Sequence, residues 1–246
     1  MENDDVFSPV LGRRQILRRA GALGVLGLGF GNWSSAFALP SRLSAAGQDV
    51  DGVDFSEFVS DPRFQAMCTL TPSLTEGPYY LNLNLVRQDI TEGKPGIKTK
   101  LRIFVVKASD CSPIANAAVD IWHNEALGQY SGFANQGTLG QTFLRGVQFT
   151  DVNGLATFDS IYPGWYQGRT THIHLKVKPV GSAVLTSQMY FVQSISDRVY
   201  NRPPYSTHGP STTKNNMDPL FIPETVMNLI QVENATLHFE LVIGVA

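Results

Sequence analysis

The sequence predicts an all-β fold, a β-sandwich of mostly antiparallel strands with long loops. Only 16% of the 246 residues are charged, against the usual quarter, and 22 glycines and 14 prolines favour many turns. From residue 101 onward, short apolar runs alternate with turn residues, and no convincing long helix follows residue 30. Hydrophobic residues make up 43% of the chain, which is enough to build a sizeable core.

Seven short segments carry the strand pattern, and turn residues separate them. The turn at 151–154 predicts a hairpin in which Gly154 supplies a positive φ. The segment at 193–222 is rich in Asn, Pro, Ser and Thr, and we predict a long irregular loop of the kind that often carries function. The predicted strands are 101–106, 118–122, 147–150, 155–158, 171–178, 188–192 and 236–242.

Residues 1–38 have the pattern of a twin-arginine signal peptide. Arg13 and Arg14 precede an apolar, glycine-rich stretch at 20–30, and a small-x-small cleavage signature follows at 36–38. The apolar stretch is shorter than the roughly 20 residues that span a bilayer. The alternatives are an amphipathic or buried N-terminal helix and an uncleaved membrane anchor.

Cleavage after residue 38 would leave a linker or wrapping segment at 39–67 and a folded domain at 68–246. The signal implies the Tat translocase as a partner during export, no stable membrane insertion after cleavage, and a periplasmic or secreted location. Because this route moves folded proteins, often with a cofactor inserted, a metal or organic cofactor becomes a stronger expectation. In an oxidising compartment Cys68 and Cys111 favour one disulfide; the alternative is two buried small apolar residues.

The charge balance gives no reason to expect a nucleic-acid partner or an anionic membrane surface. The chain has 19 basic and 21 acidic residues and a net charge of −2. Both kinds of partner need a basic excess on some face of the protein. The sequence makes no prediction of the oligomeric state.

The segment 171–178 alternates apolar and polar residues without a break, as expected for a strand. His172 and His174 therefore share one face, with Cα atoms roughly 6.5–7 Å apart. This placement suits two adjacent ligands of one metal ion. The alternative is a solvated polar face that happens to contain two histidines.

Two tyrosines and three further histidines are the other candidate donors. Tyr166 lies six residues before the histidine pair, and Tyr130 lies in a loop after a predicted strand. A phenolate is a hard anion that favours ferric over ferrous iron. A cupin would place a glutamate near Lys178, and a zinc hydrolase would need a third histidine or a carboxylate. The remaining histidines are not obvious ligands: His123 ends a strand, His208 lies in a loop, and His238 reads as an exposed strand residue.

Several short motifs occur in order between residues 75 and 191. They are TEGPYY at 75–80, DIWH at 120–123 leading to GQY at 128–130, TDVNG at 150–154, PGWY at 163–166, RTTHIH at 169–174 and TSQMYF at 186–191. This ordered set resembles the catalytic domain of the intradiol ring-cleavage dioxygenases, which include catechol 1,2- and protocatechuate 3,4-dioxygenases. The resemblance covers most of residues 68–195 and implies a β-sandwich with long active-site loops.

The resemblance implies one non-haem ferric iron, Fe(3+), per chain. Carried over residue by residue, Tyr130 and His172 match the equatorial ligands, and Tyr166 and His174 match the axial ligands. The implied substrates are a small aromatic diol and O2. The implied reaction cleaves the catechol ring between its two hydroxylated carbons and gives a cis,cis-muconate.

Three residues receive catalytic roles from the same resemblance. Tyr166 is expected to leave the metal and act as a base, Arg169 to stabilise negative charge near the ring, and Gln188 to orient Arg169. The chain departs from the usual Arg-Pro-Ala-His pattern because Thr170 and Thr171 replace Pro and Ala. This departure concerns the cavity rim and the choice of substrate.

Two alternative functions remain. The chain could be a non-catalytic exported β-sandwich that binds aromatics or sugars. It could also be a zinc or ferrous enzyme that uses His172 and His174. Metal analysis with a visible spectrum separates the three hypotheses.

Overall fold

The computed structural model describes residues 49–50, 52–59 and 68–246. The predicted signal peptide at 1–38 and most of the predicted linker at 39–67 lie outside the described residues. The described part contains ten strands, one short α-helix and several single 3-10 turns. The strands are β1 Asp49–Val50, β2 Val53–Asp54, β3 Lys98–Lys107, β4 Ala118–Trp122, β5 Arg145–Phe149, β6 Leu155–Ile161, β7 His172–Lys178, β8 Leu185–Tyr190, β9 Asn228–Glu233 and β10 Thr236–Val245, and the helix α1 is Gln193–Val199.

Eight of these strands form two four-stranded sheets around one hydrophobic core. The first sheet has the order β6-β3-β10-β9, and the second sheet has the order β5-β4-β7-β8. Neighbouring strands in both sheets are antiparallel except β3 and β10, which pair in parallel. The predicted all-β sandwich of mostly antiparallel strands is confirmed.

Alternation along each strand decides which face enters the core. In β7, Ile173, Leu175 and Val177 are fully buried in the core cluster, while the two histidines point to the opposite face. Burying each of these aliphatic side chains contributes about 1.5–3 kcal/mol. A register slip of one residue would bury the histidine face in the core instead, so the register of β7 is strongly specified.

Strand β9 was not predicted because its burial pattern does not alternate. Leu229 and Val232 are its buried residues, three positions apart. The pairing of β9 with β10 shifts register between His238 and Phe239, which is a bulge that changes the face of the following residues. A period of two is therefore lost within this strand.

The segment after β8 also differs from its prediction. The strand predicted at 188–192 runs over Leu185–Tyr190, and the region predicted as an irregular loop begins with helix α1. Ile195 and Val199 are buried and four residues apart, so they form the apolar stripe that packs this short helix. After α1 the segment continues as turns and single 3-10 turns, so most of it is irregular as predicted.

The outer faces of the two sheets have different surroundings. On the first sheet, the Lys100 ammonium and the Asp159 carboxylate lie 3.2 Å apart and remain partly exposed. A covering segment, residues 74–87, crosses the outer face of the second sheet. Its ends bond to the sheet through Leu74 N to the Thr186 carbonyl (2.8 Å) and Arg87 N to the Val147 carbonyl (3.1 Å). This cover buries polar side chains that would otherwise meet water.

The predicted disulfide is present. Cys68 and Cys111 are bonded, which ties the chain before the covering segment to the loop after β3. The hairpin turn at Gly154 has φ +74°, as predicted, and a Cβ there would lie 2.5 Å from the Val105 carbonyl oxygen. No helix in the part of the chain that the structure describes has the length and apolar character to cross a membrane.

Candidate active site

Strand β7 brings its two histidine side chains together under the covering segment. The Nε2 atoms of His172 and His174 lie 3.2 Å apart, and the two residues are 3% and 1% exposed. The Nδ1–H of His172 donates to the Thr170 carbonyl at 2.6 Å, so its Nε2 presents a lone pair to His174. This tautomer is the one that a metal ligand needs.

The His174 ring is held between an aromatic ring and a glycine. The Trp122 indole stacks on it, with ring centroids 5.0 Å apart and planes 6° apart. A Cβ on Gly77 would lie 3.1 Å from the His174 Cε1 atom, so the covering segment approaches the ring closely. His174 Nδ1 is buried and makes no hydrogen bond with the described residues.

Tyr166 lies in the loop between β6 and β7, beside the histidines. Its hydroxyl oxygen is 3.1 Å from His172 Nε2. The residue is half-buried, and burial raises the pKa of the Tyr166 phenol while the nearby Arg169 charge opposes the rise. Tyr166 therefore contacts a candidate ligand and is also partly exposed to solvent.

Tyr130 lies in the loop after β4 and is 1% exposed. Its backbone is braced on both sides, because Thr138 Oγ1 donates to its carbonyl at 2.6 Å and its N–H donates to Gln136 Oε1. Its hydroxyl oxygen is buried and has no hydrogen-bond partner among the described residues. Burial, followed by the neighbouring Tyr166, raises the pKa of the Tyr130 phenol well above its usual range.

The loop that carries Tyr130 and the loop that carries Tyr166 contact each other through their backbones, and this contact sets the position of both. Glu125 Oε1 accepts from the backbone N–H groups of Leu127 (3.0 Å) and Gln129 (3.2 Å), which shapes the turn before Tyr130. A Cβ on Gly128 would lie 2.3 Å from the Trp165 carbonyl oxygen, in the loop that carries the second tyrosine. The glycine therefore allows the two loops to touch.

These four side chains fit a metal ion. Burial lowers the pKa of His172 to about 3 and the pKa of His174 well below its usual value, so both imidazoles stay neutral near pH 7, as metal ligands must. Two imidazole nitrogens at 3.2 Å need a proton or a cation between them, and the orphaned Tyr130 oxygen needs a partner. The donor set is two nitrogens and two phenol oxygens.

Arg169 and Gln188 meet beside this cluster. Gln188 is the cross-strand partner of His174, and its Oε1 accepts from Arg169 Nη2. Arg169 Nε donates to the buried Asp218 carboxylate at 2.9 Å. Gln188 Nε2 donates to the Thr75 carbonyl at 3.3 Å, which joins the pair to the covering segment. The predicted orienting contact between Gln188 and Arg169 is therefore present.

The other histidines lie outside the cluster. His123 is fully buried and bonds to the Asn124 carbonyl and the Ser160 hydroxyl, both at 2.8 Å. His208 packs against the Trp165 ring. His238 is half-buried on the first sheet rather than exposed, because it lies among charged side chains of neighbouring strands.

Sequence reasoning missed two residues that shape the site. Asp218 holds Arg169 from a distant loop, and nothing in its local sequence marks it. The Tyr79 ring stacks on the Tyr130 ring with centroids 4.3 Å apart, and it also faces the Tyr166 ring at 6.0 Å. Tyr79 belongs to the TEGPYY motif, so the motif carried the signal although no role was assigned to this tyrosine.

Comparison with known proteins places the chain in a family. The family model described as Dioxygenase matches residues 75–200. The intradiol ring-cleavage dioxygenase from Tetranychus urticae is 30% identical, with a TM-score of 0.68, over 72% of this chain and 94% of that one. The dioxygenase domain of a carbohydrate-binding fusion protein from Streptomyces sp. SirexAA-E is 31% identical, with a TM-score of 0.55, over 72% of this chain and 99% of that one.

A curated relative is more distant. The chlorocatechol 1,2-dioxygenase of Pseudomonas sp. (strain P51) is 27% identical over 167 residues, which are 56% of this chain and 61% of that protein. The match thus spans about three-fifths of the length of that relative. With the sandwich fold and the family match over 75–200, these similarities show that the chain belongs to the intradiol ring-cleavage dioxygenase family.

Proposed function

We propose that this protein is a non-haem ferric iron dioxygenase that opens a catechol-type ring between its two hydroxylated carbons. O2 is the co-substrate, and a cis,cis-muconate is the product. The observation that carries the proposal is that His172 Nε2 lies 3.1 Å from the Tyr166 oxygen and 3.2 Å from His174 Nε2, beside an orphaned Tyr130 oxygen. The curated relatives are named for catechol and chlorocatechol, which supports this substrate class.

The four side chains suit ferric iron better than zinc. Within the described residues, no group of three or more His, Cys, Asp or Glu side chains is placed to hold a metal ion. The donors beside His172 and His174 are phenols, and a phenolate prefers a hard trivalent cation. When bound, ferric iron would supply a Lewis acid that holds both catechol oxygens and makes the ring reactive toward O2.

The two tyrosines are suited to different tasks. Tyr130 is 1% exposed and braced at its backbone, so we assign it as the permanent ligand. Tyr166 is half-buried, and its oxygen lies 3.1 Å from His172 Nε2. We therefore assign the Tyr166 oxygen as the base that accepts a proton from the catechol.

Arg169 supplies fixed positive charge next to the reacting ring. Its guanidinium is mostly buried, with 15% of the side chain exposed, so its field is screened less than at the surface. Gln188 Oε1 accepts from Nη2 and thereby sets the orientation of the guanidinium plane. This arrangement can stabilise negative charge that develops on the substrate oxygens.

Metal analysis with oxygen uptake tests the proposal. The purified protein is expected to hold about one iron per chain and to be red-brown, because phenolate-to-iron charge transfer absorbs visible light. Catechol should then cause O2 uptake and the ultraviolet absorbance of a muconate. A colourless protein with stoichiometric zinc would contradict the iron site, and an iron protein that binds catechol without O2 uptake would be a binding module.

We also propose export by the twin-arginine route, to the periplasm or the medium. The disulfide between Cys68 and Cys111 supports an oxidising compartment. Replacing both Arg13 and Arg14 by Lys should retain a folded protein in the cytoplasm. Normal secretion of this double variant, measured by fractionation against the wild type, would refute the route.

A further inference from the structure

The loop after helix α1 contains one carboxylate that is buried among exposed neighbours. The Asp218 side chain has no exposed surface, whereas the preceding Met217 is 63% exposed. Burying a carboxylate is costly unless charged or hydrogen-bonding partners surround it. The fold turns the Asp218 carboxylate inward at a position where a surface residue would be expected. The contacts of this carboxylate should therefore explain its burial.

Both oxygens of the Asp218 carboxylate are engaged. Oδ2 accepts from Arg169 Nε and from the Thr170 backbone N–H, each at 2.9 Å. Oδ1 accepts from the Leu220 backbone N–H at 2.9 Å, which fixes the carboxylate within its own turn. The carboxylate is therefore held rigidly and can serve as a reference point for the groups it contacts.

One of those contacts leads to a candidate metal ligand. The Thr170 N–H donates to Asp218, and the carbonyl of the same residue accepts from His172 Nδ1 at 2.6 Å. The Thr170 hydroxyl also donates to Asn215 Oδ1 at 2.6 Å, so the same loop holds this residue twice. Residue 170 thus connects the loop to the histidine.

The second contact sets the orientation of Arg169. Asp218 holds Nε, and Gln188 and Tyr190 accept from Nη2, the latter at 3.4 Å. Contacts at two of the three guanidinium nitrogens, Nε and Nη2, thus fix the plane of the group. Without Asp218 the guanidinium would lose its charged partner and the acceptor that holds Nε.

We propose that Asp218 is a positioning residue for ring cleavage, which rests on the proposed function. From a loop 49 residues beyond Arg169, it orients the guanidinium toward the reacting ring and holds the segment that orients His172. Asp218 does not touch the substrate. Its effect on turnover passes through Arg169, and its effect on metal binding passes through Thr170.

A double-mutant cycle separates these paths, with Asp218→Asn and Arg169→Met alone and combined. Arg169→Met should lower kcat per bound iron by about 10²–10³-fold, the usual loss for a stabilising donor. Asp218→Asn should lower kcat per iron by about 10- to 100-fold, as misplacement of a reacting group does. In the Arg169→Met background, Asp218→Asn should cost less than about threefold further, because the group that it positions is gone.

Thermal unfolding of the iron-free proteins gives a readout that does not depend on activity. Asp218→Asn should lower the Tm of the wild type, because it removes a buried charged pair. In the Arg169→Met background the same change should raise the Tm, because it neutralises a buried carboxylate that has lost its partner. Asp197→Asn is the matched control: this carboxylate pairs with Lys214 in the same region but is 46% exposed, and it should leave kcat per iron unchanged.

Results of two kinds, one kinetic and one from unfolding, would overturn the inference. One is an Asp218→Asn enzyme with normal kcat per iron, or with an equal loss in both backgrounds. The other is the absence of Tm coupling between the two sites. A wild type that holds iron but does not cleave catechols would instead refute the proposed function, and the unfolding cycle would still decide whether Asp218 and Arg169 act as a pair.

Discussion

The outer faces of the two sheets share one strand geometry but differ in what covers them. On the first sheet, Lys100 and Asp159 keep 36% and 39% of their side chains exposed, and water screens their attraction. On the second sheet, the covering segment excludes water, and His172 and His174 are 3% and 1% exposed. The comparison shows that the covering segment, together with the loops that carry Tyr130 and Tyr166, converts a polar strand face into a candidate active site.

Buried polar atoms without a hydrogen-bond partner are also distributed unevenly between the two sheets. The described part contains six buried side-chain polar atoms without a hydrogen bond, and four of them belong to the covered face of the second sheet or to Tyr130, whose ring centroid lies 6.2 Å from that of His174. A buried polar atom without a partner costs about 1–3 kcal/mol. Such a concentration is understandable where a bound ion or substrate supplies the missing partners. The four residues are Trp122, Tyr130, Arg145 and His174.

The largest expected effect comes from replacing Tyr130 on the covered face. Tyr130→Phe should cost most of the bound iron and the visible absorbance, because it removes the fully buried oxygen that we propose as the permanent ligand. Tyr166→Phe should retain iron but slow deprotonation of the catechol, so its loss of turnover should exceed its loss of metal. Iron content and kcat are measured for each variant.

The control for this pair is Tyr79→Phe. The Tyr79 ring stacks on Tyr130, and the substitution keeps the ring and removes only the hydroxyl. It should therefore keep iron and colour. Equal iron loss in Tyr130→Phe and Tyr166→Phe, or an undiminished rate in the latter, would mean that the two roles are assigned wrongly.

Acid sensitivity is the next effect in size. Burial lowers the pKa of His123 to about 4 and that of His172 to about 3, whereas an unfolded histidine titrates near 6.5. Between these pH values the unfolded chain binds more protons than the folded chain, so the free energy of unfolding falls as the pH is lowered. For His123 the full change is on the order of 3 kcal/mol.

Urea unfolding of the iron-free protein at pH 7, 6 and 5 measures this slope. Most carboxylates with altered pKa, such as Asp89, titrate below that range because hydrogen bonds lower their pKa. His238→Asn on the first sheet should leave most of the slope in place, since His238 is only half-buried. A free energy of unfolding that does not change between pH 7 and 5 would contradict the burial of neutral histidines.

The regular parts of this fold could be predicted from the sequence, because they depend on local periodicity. The alternation in 171–178 predicted β7 and the common face of His172 and His174, and the hairpin at Gly154 followed from turn chemistry. Strand β9 could not be predicted, because its bulge depends on pairing with β10. The contact between Asp218 and Arg169 joins residues 49 positions apart, and no local pattern reports such a contact.

The proposed iron ligands were predicted on a different basis from the strands. Strand alternation predicted His172 and His174 as a pair of metal ligands, and resemblance to a family completed the set with Tyr130 and Tyr166. The structure places the four side chains near one another. Their action as ligands remains a prediction, which the Tyr130 variant tests. What the sequence could not supply was the covering segment's close approach to His174, because it depends on the tertiary path of residues 74–87.

Gly77→Ala tests this close approach. Gly77 has φ +72°, and a Cβ there would lie 3.1 Å from the His174 ring. Gly93→Ala is the matched control, since Gly93 has φ +74° and nothing lies within 4 Å of its Cβ position. Both changes should cost about 1 kcal/mol of unfolding free energy from backbone strain.

Only Gly77→Ala should also weaken iron binding, by roughly tenfold, as loss of a ligand-orienting contact does. Equal iron affinities in the two variants would show that the cover does not position His174.

The smallest effect is expected from one lysine on each outer face, and it tests the contrast between the faces directly. Lys176 is 12% exposed, pairs with Glu76 of the covering segment, and lies 3.7 Å from the centroid of the Tyr80 ring. Lys176→Gln should lower the free energy of unfolding by about 1–2 kcal/mol, because it removes a cation–π contact under the cover and an ion pair whose ammonium, though not its 42% exposed carboxylate, is shielded from water. Lys100→Gln should cost less than about 1 kcal/mol, because its ion pair is solvated. Adding 1 M salt should abolish the smaller loss and leave most of the larger one, since salt screens exposed charges far more than covered ones. Urea unfolding at low and high salt measures both, and equal losses with equal salt dependence would mean that water reaches the two faces alike.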